Sequence, residues 1–303
     1  MLLSPDKMEN VNPYESWAAI VALKPAAVGK SRLAALPDPL RRRLAVQMAL
    51  DALTALAATT SHLVVVSDSS TIRRRLQLAG IAADVIADPK PGGLNNALRA
   101  GEATVRDAGA RRVLACVGDL PALTASAVAT VISTMGRIPA DRPRRGFVAD
   151  RDGTGSTMLL ADGVPLDPHF GRGSAAAHRS SGAVELNHLA DGAVAERSHD
   201  NDPDGDIARA RTDVDDPDDL PRAIAIGVGT NTASLISNNR LADYTVVTIT
   251  GINDAMGFTG RSESGQEFAF SDVELDASIG RPAVGDRLHA AVADDHVISL
   301  WAR

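Results

Sequence analysis

The stretch RVLACVGDLPAL, residues 112–123, decides the fold class. A short apolar run ends at Gly118-Asp119, and Pro121 then turns the chain. Such a run, bounded by turn residues, reads as a buried strand. Residues 126–135 follow with helical periodicity. Upstream, residues 18–23 (AAIVAL), 62–67 (HLVVVS) and 84–87 (DVIA) read as further strands. Residues 37–60, 71–79 and 94–108 read as the helices between them. In the first of these, Leu40, Leu44, Met48, Leu50, Leu53 and Leu56 recur at helical spacing, and a proline near its start suits a first turn. Strand and helix in alternation imply parallel strands joined by right-handed crossovers. The expectation is an α/β protein with a mostly parallel sheet. Ligands in such sheets bind at the carboxyl ends of the strands, which is where Asp119 stands.

Beyond residues 147–149 the alternation breaks. Two glycine-rich stretches appear, Gly153-Thr154-Gly155-Ser156 and Phe170-Gly171-Arg172-Gly173-Ser174. Residues 198–219 are heavily acidic, and a helix restarts over 217–226. Residues 230–242 are polar and read as a linker. From Tyr244 onward, short alternating runs separated by turns suggest a small all-β barrel of the OB or cold-shock kind. The expected division is a loose tail over 1–15, an α/β domain over 16–229, the linker, and a β domain over 243–303.

The chain has 303 residues, enough for one large domain and a small one. Aromatic content is 3%, so the core must be aliphatic. The net charge of −7 argues against a broad nucleic-acid surface, which needs a basic face. A single cysteine, Cys116, leaves no intramolecular disulfide and no cysteine metal cage. No apolar run approaches the roughly 18 residues of a membrane helix. The first residues lack the apolar core of a secretory signal. A cytoplasmic protein is expected, with a homodimer as its assembly.

Five clusters could do chemistry. Lys24, Lys30 and Arg32 follow the first strand with Gly29 among them. They read either as a solvated basic turn or as cations for a triphosphate, though not as a Walker loop. Asp119 is a hard oxygen ligand suited to Mg²⁺, or a turn aspartate. Asp213 and Asp215 flank Val214, so strand-like alternation puts both on one face. Paired with Asp119 they could hold metal, but Asp215 also sits where acids favour a helix start. The two glycine-rich turns could make anion nests, or only turn the chain. His178, four residues after Ser174, could contact an anion, although a lone histidine is more often structural. Last, Gly92, Gly93, Asn95 and Asn96 join a strand to a helix N-terminus, suiting base or ribose recognition or an ordinary cap.

In this order the clusters resemble the 2-phospho-L-lactate guanylyltransferase family, including its phosphoenolpyruvate-using actinobacterial members. The resemblance runs from about residue 18 to 229. It rests on ALKPAAVGKSRLA (22–34), ADPKPGGLNNAL (87–98), VGDLPAL (117–123), FVADRDGTGS (147–156), DPHFGRGSAAAHRSSGAVEL (167–186) and DVDDPDDL (213–220). It implies a nucleotidyltransferase fold of the GT-A, Rossmann-like kind. It also implies GMP transfer from GTP to a small phosphorylated three-carbon acid in coenzyme F-420 biosynthesis. On this resemblance Ser156, Gly171 and Ser174 face the acid. Asp119 and Asp213 hold Mg²⁺, with Asp215 a lesser helper. Lys24, Lys30 and Arg32 act on the GTP phosphates, and Gly92, Gly93 and Asn95 lie near the nucleoside. Ser156 stands where relatives carry threonine, which keeps the hydroxyl.

The barrel region faintly resembles cold-shock strands at Phe258, Phe268 and Phe270, which could stack bases. Residues 241–303 hold four Arg, no Lys and ten Asp or Glu, a charge that opposes nucleic-acid binding. Phe side chains in a barrel core are the expected arrangement. The competing readings are a nucleotidyltransferase of other base or acceptor specificity, and a nucleotide- or RNA-binding protein acting through the barrel.

Overall fold

The computed structural model describes residues 17–23, 38–89, 92–139, 141–187, 189, 203–215, 219–237, 243–253, 257–275, 281–293 and 296–302. The expected tail and the cluster of Lys24, Lys30 and Arg32 lie outside the described residues. The alternating half runs β1 (Trp17–Ala22), α1 (Asp38–Ala57), β2 (His62–Val66), α2 (Ile72–Leu78), β3 (Asp84–Ile86), α3 (Gly93–Asp107), β4 (Arg112–Cys116), α4 (Ala125–Met135) and β5 (Arg145–Ala149). Then come β6 (Ser156–Asp162), α5 (Ser174–Ser180), β7 (Val184–Glu185), α6 (Pro203–Arg211), α7 (Asp219–Ile226) and α8 (Thr230–Ser237).

The seven strands stand in the order β3-β2-β1-β4-β6-β5-β7. β1 pairs in parallel with both β2 and β4, whereas β6 runs antiparallel to β4 and to β5. The sheet is therefore mostly parallel with one reversed strand. Alternate residues feed two cores. Ala19, Val21, Val65 and Leu114 face Leu53 and Leu56 of α1 and Val131 of α4. Ala18, Ile20, Val64 and Val113 share the other core with Ala97, Leu98 and Val105 of α3 and with Phe147. Both faces are covered, so these strands read as continuous apolar runs.

Several elements were not expected: β6 (STMLLAD) follows directly on a glycine-rich turn, α5 starts at the last residue of the second such turn, β7 follows α5, and α6 lies within the acidic stretch. The segment 230–242, expected as a linker, carries α8 instead. Leu235 of α8 packs with Leu44 and Met48 of α1. Asp51 of α1, only 4% exposed, holds the start of α8. Its Oδ1 accepts from the amide of Asn231 at 3.0 Å and from Asn231 Nδ2 at 2.9 Å, and its Oδ2 accepts from the amide of Thr232 at 2.9 Å. A carboxylate at a helix N-terminus satisfies donors that have no intrahelical partner.

The C-terminal part is a separate antiparallel sheet ordered β10-β9-β8-β11-β12, from β8 (Asp243–Ile252), β9 (Gly257–Ser262), β10 (Glu267–Ser271), β11 (Arg287–Ala293) and β12 (His296–Ala302). A bridge between Leu275 and Leu300 links its two edges, as barrel closure requires. Phe258, Phe268 and Phe270 are buried in its interior, and Phe258 stacks on Phe270 at 5.6 Å. They form core, so they offer no stacking platform to a base. Asp272 pairs with Arg74 of α2 at 2.7 Å, which ties this sheet to the α/β part. No helix among the described residues is long and apolar enough to cross a membrane.

Asp51→Ala removes three hydrogen bonds and leaves buried donors behind. The expected loss is about 2–3 kcal/mol of unfolding free energy, read from urea titration. A loss near zero would mean that α8 does not depend on this contact.

Candidate functional site

The site forms along the carboxyl edge of the parallel strands. β4 ends and delivers Gly118 and Asp119 there. Because β6 is reversed, its first residue, Ser156, arrives at the same edge. β5 ends at Ala149, so Asp150 follows it to that edge.

The amide of Val214 donates to the carbonyl of Asp119 at 3.0 Å. Val214 itself is fully buried, packed with Leu44, Met48 and Ala223. Its neighbour Asp213 lies close enough to Asp119 and Asp215 for their charges to act on it. Residues 212–215 form no regular strand, so the strand-like alternation expected of this segment is not what places these carboxylates. The carboxylate of Asp219, in the first turn of α7, accepts from the Asp215 amide at 3.0 Å.

This crowding has an electrostatic consequence. Burial, and then the charges of Asp119, Asp215 and Asp150, push the Asp213 carboxyl up to about 8. Burial, and then the field of Asp119, also push the Cys116 thiol up, so it is unreactive packing. The edge is poised to accept positive charge. Among the described residues, no three His, Cys, Asp or Glu side chains converge into a ready metal cage. The donors suit Mg²⁺ all the same. It is commonly held by one or two carboxylates, with substrate phosphates and water completing the shell.

Beside the carboxylates lie the two glycine-rich turns. The carboxylate of Asp150 accepts from the amides of Thr154 at 3.0 Å and Gly155 at 2.7 Å, which shapes the first glycine-rich turn. A Cβ at Gly155 would sit 2.3 Å from Asp150 Oδ2, so a side chain there would displace the Asp150 carboxylate from the turn. The second turn meets the first. The Ala175 amide donates to the Thr154 carbonyl at 3.2 Å, and the Ser174 amide donates to the Gly171 carbonyl at 3.0 Å. Gly173 takes φ 73°, a left-handed conformation that favours glycine, just before α5. Ser156 and Ser174 are both buried here, while Gly171 is exposed on the loop.

Gly92 and Gly93 are exposed at the start of α3. Asn95 is engaged differently from what was expected. Its Nδ2 donates to the Phe170 carbonyl at 3.0 Å, and its Oδ1 accepts from the Phe170 amide at 2.8 Å. This two-bond clamp fixes the second glycine-rich loop against α3, so the carboxamide is not turned towards a nucleoside. The clamp needs a partner 75 residues away, which no local pattern reveals.

Curated relatives cover the same ground. A phosphoenolpyruvate guanylyltransferase from Mycobacterium sp. strain KMS is 41% identical over 228 residues, spanning 74% of this chain and 93% of that protein. The protein of the same name from Streptomyces scabiei is 39% identical, over 72% of this chain and 94% of its own length. That from Salinispora arenicola is 37% identical, over 72% and 92%. The chain belongs to the phosphoenolpyruvate guanylyltransferase family. No family model matches it. Among solved structures, a nucleotidyl transferase from Methanothermobacter is similar at 16% identity and a TM-score of 0.43, over 74% of this chain and 99% of that one.

In this guanylyltransferase-family chain, the structure sets Asp119, Asp215 and Asp150 close enough to Asp213 for their charges to act on it, and packs the turn that leads to Ser156 against the start of α5 at Ser174. Motif reading had passed over Asp150 and Arg211. Asp150 followed by a glycine-rich turn is an Asx-type turn signal. Arg211, at the end of α6, donates from Nη2 to the Asp150 carbonyl at 2.9 Å and carries no such signal.

The raised Asp213 pKa sets a pH dependence. The unfolded carboxyl ionises near 3.8 and the folded one near 8, so the native state holds the extra proton between these values. Without divalent cations, the contribution of Asp213 to stability is full below about pH 4 and is lost as pH rises towards 8. Asp213→Asn should flatten that decline in metal-free urea titrations. An unchanged slope would contradict the burial and repulsion assigned to it.

Proposed function

We propose that this chain transfers GMP from GTP to phosphoenolpyruvate or a close three-carbon analogue such as 2-phospho-L-lactate, releasing pyrophosphate, in the route to coenzyme F-420. The observation that carries this reading is the meeting of a carboxylate cluster with a buried hydroxyl and glycine-turn region at one sheet edge. It occurs in a chain whose relatives bear the guanylyltransferase name.

The reaction asks little of side-chain acids and bases. A phosphate oxygen of the acceptor is already anionic and attacks the α-phosphorus of GTP in line. The bond to the bridging oxygen of pyrophosphate breaks, and pyrophosphate leaves with the electron pair. The main barrier is bringing two polyanions together, which preorganised cations and N–H donors lower. Mg²⁺, held by Asp119 and Asp213 with Asp215 beside them, supplies charge neutralisation when bound. Ser156, Ser174 and the Gly171 loop receive the phosphorylated acid. Lys24, Lys30 and Arg32 face the GTP phosphates. The exposed start of α3 at Gly92 and Gly93 receives the nucleoside side, with Asn95 holding the neighbouring loop. A homodimer in the cytoplasm remains our expectation for its assembly and location.

Asp119→Ala should reduce pyrophosphate release at least about 100-fold, the scale of losing electrostatic stabilisation in a transfer site, with the circular dichroism spectrum retained. Near-normal turnover in a folded variant would remove Asp119 from the metal site. Ser174→Ala should raise the acceptor KM about tenfold and leave the GTP KM unchanged. Equal shifts in both would move Ser174 out of the acceptor pocket.

A further inference from the structure

His178 of α5 is fully buried among Phe147, His169 and Phe170, whose ring centroids lie 5.1–5.9 Å from its own. Each of its ring nitrogens has one partner. The amide of His169 donates to Nε2 at 3.0 Å, and Nδ1 lies 2.9 Å from Ser156 Oγ. A backbone amide can only donate, so Nε2 must carry a lone pair. A ring protonated on both nitrogens would set one N–H against another. Burial, with the neighbouring His169 and Arg145 charges, holds the His178 pKa down to about 4, in keeping with a neutral ring.

The one proton of a neutral ring with Nε2 accepting sits on Nδ1. Nδ1–H therefore donates to Ser156 Oγ. A serine hydroxyl has a single proton of its own, and the lone pair facing His178 is occupied. The Ser156 O–H must then point away from the ring. Ser156 begins β6 at the carboxyl edge, beside the Asp150 turn and the α5 start.

We propose that His178 is a positioning residue. Its Nδ1–H locks the Ser156 hydroxyl as a donor aimed at an anionic oxygen of the phosphorylated acid. The assignment rests on the acceptor reading above for its substrate and on the hydrogen-bond geometry for its direction. With the hydroxyl free to rotate, Ser156 would present a lone pair to an anion part of the time. The histidine removes that repulsive option, in the way that supporting hydrogen bonds fix groups in direct contact with a ligand.

The tautomer is tested first, in the unmodified full-length protein. A long-range ¹H–¹⁵N spectrum of histidine-labelled protein should contain one neutral Nδ1–H ring, identified by its loss in His178→Asn. An Nε2–H or cationic ring at this position overturns the proposal. The role is tested by kinetics. His178→Asn keeps an N–H near the Nδ1 position and should leave the acceptor KM within about threefold of the parent. His178→Gln keeps only the outer acceptor and should raise that KM about tenfold or more, with the GTP KM unmoved. In a Ser156→Ala background, His178→Gln should add little. Where a histidine variant fails to fold, the tautomer measured in the unmodified protein still decides the proposal. Additive effects, equal loss in Asn and Gln variants, or parallel shifts in both KM values would make His178 merely structural. Turnover together with an Nε2–H ring overturns the positioning alone. An Nδ1–H ring with no turnover on any acceptor overturns the guanylyl-transfer reading, and the substrate half of the proposal with it.

Discussion

One backbone hydrogen bond, from the Val214 amide to the Asp119 carbonyl, closes the site. It joins two segments that lie far apart in the chain. The Val214 side chain is driven into the small core of Leu44, Met48 and Ala223. Burial of Asp213, and then the approach of Asp119 from a distant part of the chain, raise the pKa of its carboxyl. The same small core contains α1, and the segment with Lys24, Lys30 and Arg32 leads into α1 in sequence. The packing that gathers the carboxylates thus also anchors the helix that follows the basic residues.

The reversal of β6 supplies the other half. A parallel strand in its place would send Ser156 to the opposite edge of the sheet. Running antiparallel, it sets Ser156 beside the Asp150 turn and within reach of α5. Buried polar groups need partners. Here Ser156, His178, Asn95 and Asp150 provide partners for one another and for the loops, so the region holds its shape before an anion arrives. That preorganisation is what lets hydrogen-bond donors favour a transfer between two anions.

Much of this was legible in the sequence. The strands from β1 to β5 are short apolar runs, and helices α3 and α4 carry clear periodicity, so local pattern and tertiary structure agree. β6 was not legible because STMLLAD starts on a glycine-rich turn and, being buried on both faces, lacks alternation. α8 was hidden because its polar residues TNT look like linker, and only Asp51, far away in α1, explains them. Asp119, Ser156 and Ser174 could be singled out from motifs. The work of Asn95 and His178 could not, since it depends on partners brought close only by the fold.

The most direct test of the account is pyrophosphate release by the full-length protein with Mg²⁺. GTP, ATP and CTP are each offered with phosphoenolpyruvate, 2-phospho-L-lactate or 3-phosphoglycerate. The account predicts release with GTP and a three-carbon 2-phosphorylated acid, and none without the acid. Release with CTP or ATP in preference to GTP, or none with any pair, would contradict it.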